Sequence, residues 1–192
     1  MFTGIIIEVG KIRSVQKGND TICEIESALK LKKGDSVSVD GVCLTVIQKK
    51  KDSFVVEISG DTRKRTTLNK IRVGTEVNLE PPLKVGDYLS GHLVTGHVDT
   101  VTKIKRRLIK AKDHIYYFEI PKKGREYIIP LGSVAIDGIS LTVKEVTERD
   151  FSVVIIPQTL KVTTIGKKKV GSPVNIEYDI IIRYIKRWNS TS

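Results

Sequence analysis

VDGVCLTV (residues 39–46) and IDGISLTV (136–143) are nearly the same octet, written twice 97 positions apart, with Cys43 in one copy where Ser140 stands in the other. The likeness continues at the same offset. Phe54 matches Phe151, Thr62 matches Thr159, and Thr66 and Thr67 match Thr163 and Thr164; Val73, Gly74, Val77, Asn78 and Glu80 match Val170, Gly171, Val174, Asn175 and Glu177. Upstream, MFTGIIIEVGKI (1–12) lies over LVTGHVDTVTKI (93–104) at an offset of 92, so the second copy carries about five extra residues in between. A likeness sustained at one period marks a duplicated domain. The 192 residues are read as two units, each near the lower end of what buries a core unaided.

Composition gives the class of each unit. Ile and Val number 47 together, against 3 Ala and 12 Leu, which favours β-branched strands over helices. Short alternating runs such as SVSVDGVCLTVI, SFVVEI, HIYYFEI and FSVVII are separated by QKGND, KKGD and ERD, as strands are by turns. The reading is all-β, with several short strands per unit closing into a small barrel. The end of the chain differs. In DIIIRYIKRWNSTS, Ile181, Ile182, Ile185 and Trp188 fall at helical spacing behind a capping Asp179, predicting one short helix with an apolar face. Such a helix is marginal alone, and its face has two partners open to it, its own barrel or another subunit.

No stretch is long and apolar enough for a membrane span, and no secretory signal opens the chain, so a cytoplasmic protein is expected. Cys23 and Cys43 form neither a disulfide framework nor a metal-ligand spacing, and three histidines without clustered ligands point away from zinc. The net charge of +11 raises nucleic-acid binding. Its lysines, however, concentrate in QKKK (48–51), KIKRR (103–107) and GKKK (166–169), read as solvated turns, and no strand carries the ring-rich face that stacks bases. No nucleic acid and no membrane are expected as partners.

In a strand alternate residues share a face, so Cys43 and Thr45 project together, as do Ser140 and Thr142, while Leu44 and Leu141 turn the other way. A polar pair on an apolar strand suits a wall that hydrogen-bonds a flat polar ligand. The bland reading of the same residues makes Asp40 and Asp137 turn residues, Cys43 a small core residue and His97 a surface histidine.

The opening MFTGII, the two octets, GHLVTGHVD (91–99) and IPQTL (156–160) together resemble the riboflavin synthase family of tandem lumazine-binding barrels, over Met1 to about Asp179. The resemblance implies two similar six-stranded antiparallel Greek-key barrels (residues 1–90 and 91–179) and a C-terminal helix (180–192) that assembles a homotrimer. It implies the dismutation of two 6,7-dimethyl-8-ribityllumazine molecules, without metal or organic cofactor. Matched motif by motif, it implies an N-barrel site of Gly4, Ile5, Ile6, Cys43, Leu44, Thr45 and the segment Glu57, Ile58, Ser59, Gly60, Asp61 and Thr62. The C-barrel site would be Gly96, His97, Val98, Ser140, Leu141, Thr142 and the segment Ile155, Ile156, Pro157, Gln158, Thr159 and Leu160.

Phe2, Ser36, Asp137 and Asp179 also match positions the family associates with activity. Cys43, His97, Ser140, Phe2 and Asp137 are the implied catalytic set, with His97 as proton carrier because an imidazole titrates near neutrality. One departure is Leu131, which stands where many relatives carry Lys, so a cation is missing there or supplied by another residue. The rival from another class is a non-enzymatic lumazine- or flavin-binding antenna protein, which needs only one working pocket.

Overall fold

The computed structural model describes residues 1–110, 113–121 and 123–189. Among the described residues, twelve strands and three short α-helices follow one another, the order of the first unit being repeated in the second. The first unit runs β1 (Glu8–Lys17), β2 (Thr21–Glu26), β3 (Ser36–Val39), β4 (Val42–Lys49), β5 (Ser53–Ile58), α1 (Gly60–Arg65) and β6 (Glu76–Glu80). The second runs β7 (Thr100–Lys110), β8 (Asp113–Glu119), β9 (Ser133–Ile136), β10 (Ile139–Val146), β11 (Asp150–Ile155), α2 (Pro157–Val162) and β12 (Pro173–Tyr178), and α3 (Ile180–Asn189) ends it. Residues 190–192 of the expected tail lie outside the described residues.

Each unit closes into a six-stranded antiparallel barrel, ordered β1-β2-β5-β4-β3-β6 and, in the same sense, β7-β8-β11-β10-β9-β12. The β3-β4-β5 meander with β2 returning beside β5 is a Greek key. The duplication extends to the irregularities: bulges interrupt β1 at Ile12/Ser14 and β7 at Ile104/Arg106, and likewise β4 at Val46/Gln48 and β10 at Val143/Glu145. One extra residue at matched places bends matched strands, as closing a small barrel demands. Alternation puts Leu44, Val46, Phe54 and Val56 inside the first barrel and Leu141, Val143, Phe151 and Val153 inside the second, two separate cores.

The barrels meet at a pseudo-twofold junction built from the Asp-Gly turns. Asp40 and Asp137 hold φ of 46° and 47°, followed by Gly41 and Gly138 at 79° and 80°, the left-handed pair of a tight hairpin. The two glycines abut, since a Cβ on Gly41 would lie 2.6 Å from the Gly138 nitrogen. Across the axis Asn78 Nδ2 donates to the Asp137 carbonyl (3.0 Å) and Asn175 Nδ2 to the Asp40 carbonyl (2.8 Å). Their Oδ1 atoms accept from the amides of Thr164 and Thr67 (both 2.8 Å). The Asp side chains cap the same strands, Asp40 Oδ1 accepting from the Asn78 amide and Asp137 Oδ1 from the Asn175 amide.

Two expectations about charge are corrected here. KIKRR lies within β7, not in a turn, with Arg106 stacked 3.5 Å over the Tyr117 ring. Lys168 of the GKKK run is no solvated residue either: its Nζ lies 2.6 Å from the buried Asp137 Oδ2. The matched residue in the first copy is Ile71, so one cation serves two buried carboxylates. Burial, then repulsion from Asp137, pushes the Asp40 carboxyl up to about 7, with Lys168 opposing.

Candidate active site on two barrel walls

Both octets lie on β3-β4 and β9-β10 hairpins, which present one face to the barrel core and the other outward. Leu44 and Leu141 are buried, whereas Cys43 and Ser140 are half-buried and Thr45 and Thr142 exposed on the outer wall. Ser36 pairs with Thr45 across the hairpin, and its match Ser133, which the motif reading passed over, pairs with Thr142. On the first barrel the wall is a pocket of about 300 Å³ lined by Asp20, Cys43, Leu44, Thr45, Ile47, Glu57, Ser59 and Thr62. The octet and the 57–62 segment are thus brought together. Ile58 and Ile155 point into the cores and shape the walls through their backbones. Ser59 caps α1 through its Oγ, and Gly60, Asp61 and Thr62 follow in that helix. Ile156, Pro157 and Gln158 are exposed at the start of α2, with Thr159 and Leu160 half-buried behind them. Larger clefts of about 540 and 770 Å³ run along the junction; the first meets an octet only at its turn residue Asp40, and neither is lined by Cys43, Thr45, Ser140 or Thr142.

The arms are exchanged relative to the sequence assignment. Gly4, Ile5 and Ile6, expected at the first barrel, reach the second: the Ser140 amide donates to the Gly4 carbonyl (2.8 Å), and Ile6 joins the second core. Gly96, His97 and Val98 reach the first barrel in the same way, with the Cys43 amide donating to the Gly96 carbonyl (2.8 Å) and Val98 packed on the first core. Buried glutamates at the ends of β6 and β12 hold the arms. Glu80 accepts from the Thr3 amide and hydroxyl and the Gly4 amide, at 2.6, 2.8 and 3.0 Å. Glu177 does the same for Thr95 and Gly96, at 2.6, 2.6 and 2.9 Å. Burial raises both carboxyls above their ordinary range against the pull of these bonds. Gly4 and Gly96 both need φ of 79°, and the facing octet leaves no room for a side chain at either.

Other expected site residues sit elsewhere. Phe2 is wholly buried between the barrels, bridged to Val94 and packed with Ala135 and Cys43, so it can act on a ligand only by setting Cys43's backing. Asp137, also wholly buried, belongs to the junction. Asp179 caps α3 through its Oδ1 (2.9 Å to the Ile181 amide), and its charge acts on His92. Leu131 occupies the turn into β9 with φ of 64° and is 83% exposed; its match Gly34 has φ of 94°. Lys144 follows Thr142 on the outer face of β10, so the second wall has a cation although Leu131 supplies none. His92 was missed: its Nδ1 lies 2.7 Å from Ser140 Oγ. It stands outside the repeated motifs, and only its place beside Gly91 in GHLVTGH could have drawn attention. Among the described residues no cluster of His, Cys, Asp and Glu is arranged to hold a metal.

The lumazine binding domain model matches residues 3–81 and, again, 95–179. The riboflavin synthase of Photobacterium phosphoreum is 39% identical over 97% of this chain and 88% of its own; that of Chlamydia pneumoniae is 42% identical over 94% and 90%. This chain belongs to the riboflavin synthase family of tandem lumazine-binding barrels. Among solved structures, LumP complexed with 6,7-dimethyl-8-(1'-D-ribityl) lumazine superposes with a TM-score of 0.83 at 25% identity, covering 92% of this chain and 98% of that one. LumP complexed with riboflavin does so at 27% identity, again with a TM-score of 0.83 and covering 93% and 99%. No described helix of this family member is long and apolar enough to cross a membrane.

Proposed function

We propose that the protein is a riboflavin synthase. Two 6,7-dimethyl-8-ribityllumazine molecules react, one giving a four-carbon unit to the other, to yield riboflavin and 5-amino-6-ribitylamino-2,4-pyrimidinedione. The observation that carries this reading is the retention of both walls: each barrel keeps its polar pair, Cys43 with Thr45 or Ser140 with Thr142, and each is closed by an arm latched to a buried glutamate. A dismutation of two like molecules needs two like sites. The lumazine 7-methyl group is acidic because its carbanion delocalises into the heterocycle, so the substrate serves as its own electron sink. What the chain must supply is placement of two rings and management of protons; proximity of this kind lowers a barrier by about 7–11 kcal/mol at best.

In this reading the N-barrel pocket holds one lumazine against Cys43 and Thr45, with exposed His97 on the exchanged arm as proton carrier and Glu57, Ser59 and Thr62 along its edge. The C-barrel pocket holds the other against Ser140 and Thr142, bordered by Gly4, Ile5 and the 155–160 segment. We further propose a cytoplasmic homotrimer in which the N-pocket of one subunit faces the C-pocket of its neighbour. Support comes from α3, whose Ile181, Tyr184, Ile185 and Trp188 remain exposed along one side while Arg183 ties the helix to Asp99 (2.7 Å).

A second reading, a lumazine- or flavin-binding antenna protein, is favoured by the likeness to LumP. The test is to incubate the purified protein with the lumazine and follow riboflavin absorbance. Appearance of one riboflavin per two lumazines consumed establishes the enzyme; a stable lumazine complex without turnover establishes the antenna.

A further inference from the structure

We infer that His92 is a positioning residue of the C-barrel pocket, donating its Nδ1–H to Ser140 Oγ so that the serine hydroxyl proton is left to donate to the bound ring. This rests on the reading of that wall as a lumazine site.

The imidazole is held on several sides. It is 9% exposed, its own amide donates to the Thr3 carbonyl (3.1 Å), and Gly91 before it is wedged between Thr3 and Ser140. Nδ1 sits 2.7 Å from Ser140 Oγ, while Nε2 is buried and has no hydrogen-bond partner. Burial lowers the pKa of this histidine, with the charge of Asp179 opposing, so the ring is neutral at pH 7 and carries one proton.

The two neutral tautomers differ in what is left orphaned. With the proton on Nε2, a buried N–H donor would have no acceptor; with the proton on Nδ1, only a lone pair is unmatched. Orphaned buried donors are the rarer and costlier state. The Nδ1–H tautomer follows, and it fixes the polarity of the pair. A serine hydroxyl has one proton and two lone pairs. One lone pair is taken by Nδ1–H, which leaves the proton free for a ring nitrogen or carbonyl of the ligand.

The N-barrel wall has no counterpart. Among the described residues no imidazole is hydrogen-bonded to Cys43, and a thiol is a weak donor. Two copies of one substrate therefore meet unlike partners, with a directed hydrogen bond only in the second pocket. That is a physical reason for the one non-conservative difference between the octets, Cys43 against Ser140.

The first test is ¹⁵N NMR of the full-length protein labelled at histidine. His92 is expected to show a protonated Nδ1 and a bare Nε2 at pH 7; a protonated Nε2 with a bare Nδ1 overturns the inference whether or not any variant folds. The second is steady-state conversion of lumazine. His92→Leu is expected to lower kcat about tenfold, the worth of one hydrogen bond, with KM changed less than twofold. His92→Asn, whose Nδ2–H takes the place of Nδ1–H, recovers most of that loss. Adding His92→Leu to Ser140→Ala costs nothing more, because the two act as one unit. Equal losses for the Leu and Asn variants, or fully additive losses with Ser140→Ala, overturn it. If the wild type binds lumazine without converting it, the proposed function fails, and the tautomer together with lumazine affinities of the same variants still decides the role of His92.

Discussion

Gly4→Ala should disable the pocket of the second barrel and spare that of the first, although residue 4 belongs to the chain's first unit. The new Cβ would lie 2.6 Å from Ser140 Cβ and 2.7 Å from the Ser140 nitrogen. Neither side can yield easily, because the Gly4 carbonyl is bonded to the Ser140 amide and the Gly4 amide to Glu80. The left-handed φ of 79° costs an L-residue about 1–2 kcal/mol, and overpacking against backbone adds about 1–3 kcal/mol. Together these amount to about 2–5 kcal/mol, enough to unlatch the arm and weaken a ligand in that pocket ~30-fold or more. Cys43 is a built-in reporter of the other pocket, since Cys23 is fully buried and only Cys43 is within reach of a maleimide. With riboflavin as ligand, Gly4→Ala should cut the stoichiometry from two per chain to one while Cys43 stays protected. Gly96→Ala, whose Cβ would lie 2.5 Å from Cys43 Cβ, should do the reverse and expose Cys43. Loss of Cys43 protection in Gly4→Ala would refute the exchange of arms.

Replacing Lys168 by Ile, the residue of the first copy, leaves Asp40 and Asp137 without their cation and should cost about 3–5 kcal/mol in urea melts. Independently, the Asp40 carboxyl is raised in the folded state above its unfolded value, so its contribution is complete below about pH 4 and is lost as pH rises through about 7. Wild-type stability should therefore fall by up to ~1.4 kcal/mol per pH unit across that window, and Asp40→Asn should flatten the slope. Leu131→Gly relieves a left-handed leucine in an exposed turn and should raise Tm by about 2–4 °C in calorimetry, for a gain of about 1 kcal/mol; a lower Tm would show that the side chain stabilises the turn. Truncation from Ile181 onward should shift the proposed trimer toward monomer in sedimentation, and an unchanged trimer would remove α3 from the assembly.

The all-β class, the duplication and the outward face of the octets were legible because each rests on a local period: two for a strand face, 97 for the repeat. The capped tail helix was legible at period 3.6 for the same reason. What was not legible depends on which distant segments meet. The repeat shows that Gly4 corresponds to Gly96 but is silent on which barrel each arm touches; the natural assumption, an arm on its own barrel, is inverted by the bonds of the Ser140 amide to Gly4 and the Cys43 amide to Gly96, while Glu80 and Glu177 anchor each arm at the end of its own barrel. Lys168 looks like its neighbours Lys167 and Lys169 in sequence; only the junction distinguishes it, through a buried carboxylate 2.6 Å away. Phe2 packs beside Cys43 and Asp137 is itself an octet residue, yet both are wholly buried behind the walls.

The central claim is that both pockets act together on two lumazines. Riboflavin formation by the double variants Cys43→Ala/Thr45→Ala and Ser140→Ala/Thr142→Ala, separately and after co-refolding, tests it most directly. Each pure variant should be nearly inactive, since one substrate held without its partner forfeits the proximity effect. The mixed assemblies should regain part of the activity, because an intact N-pocket of one chain meets an intact C-pocket of the other. Full turnover in either pure variant would contradict the account, as would a mixture that contains mixed trimers and forms no riboflavin.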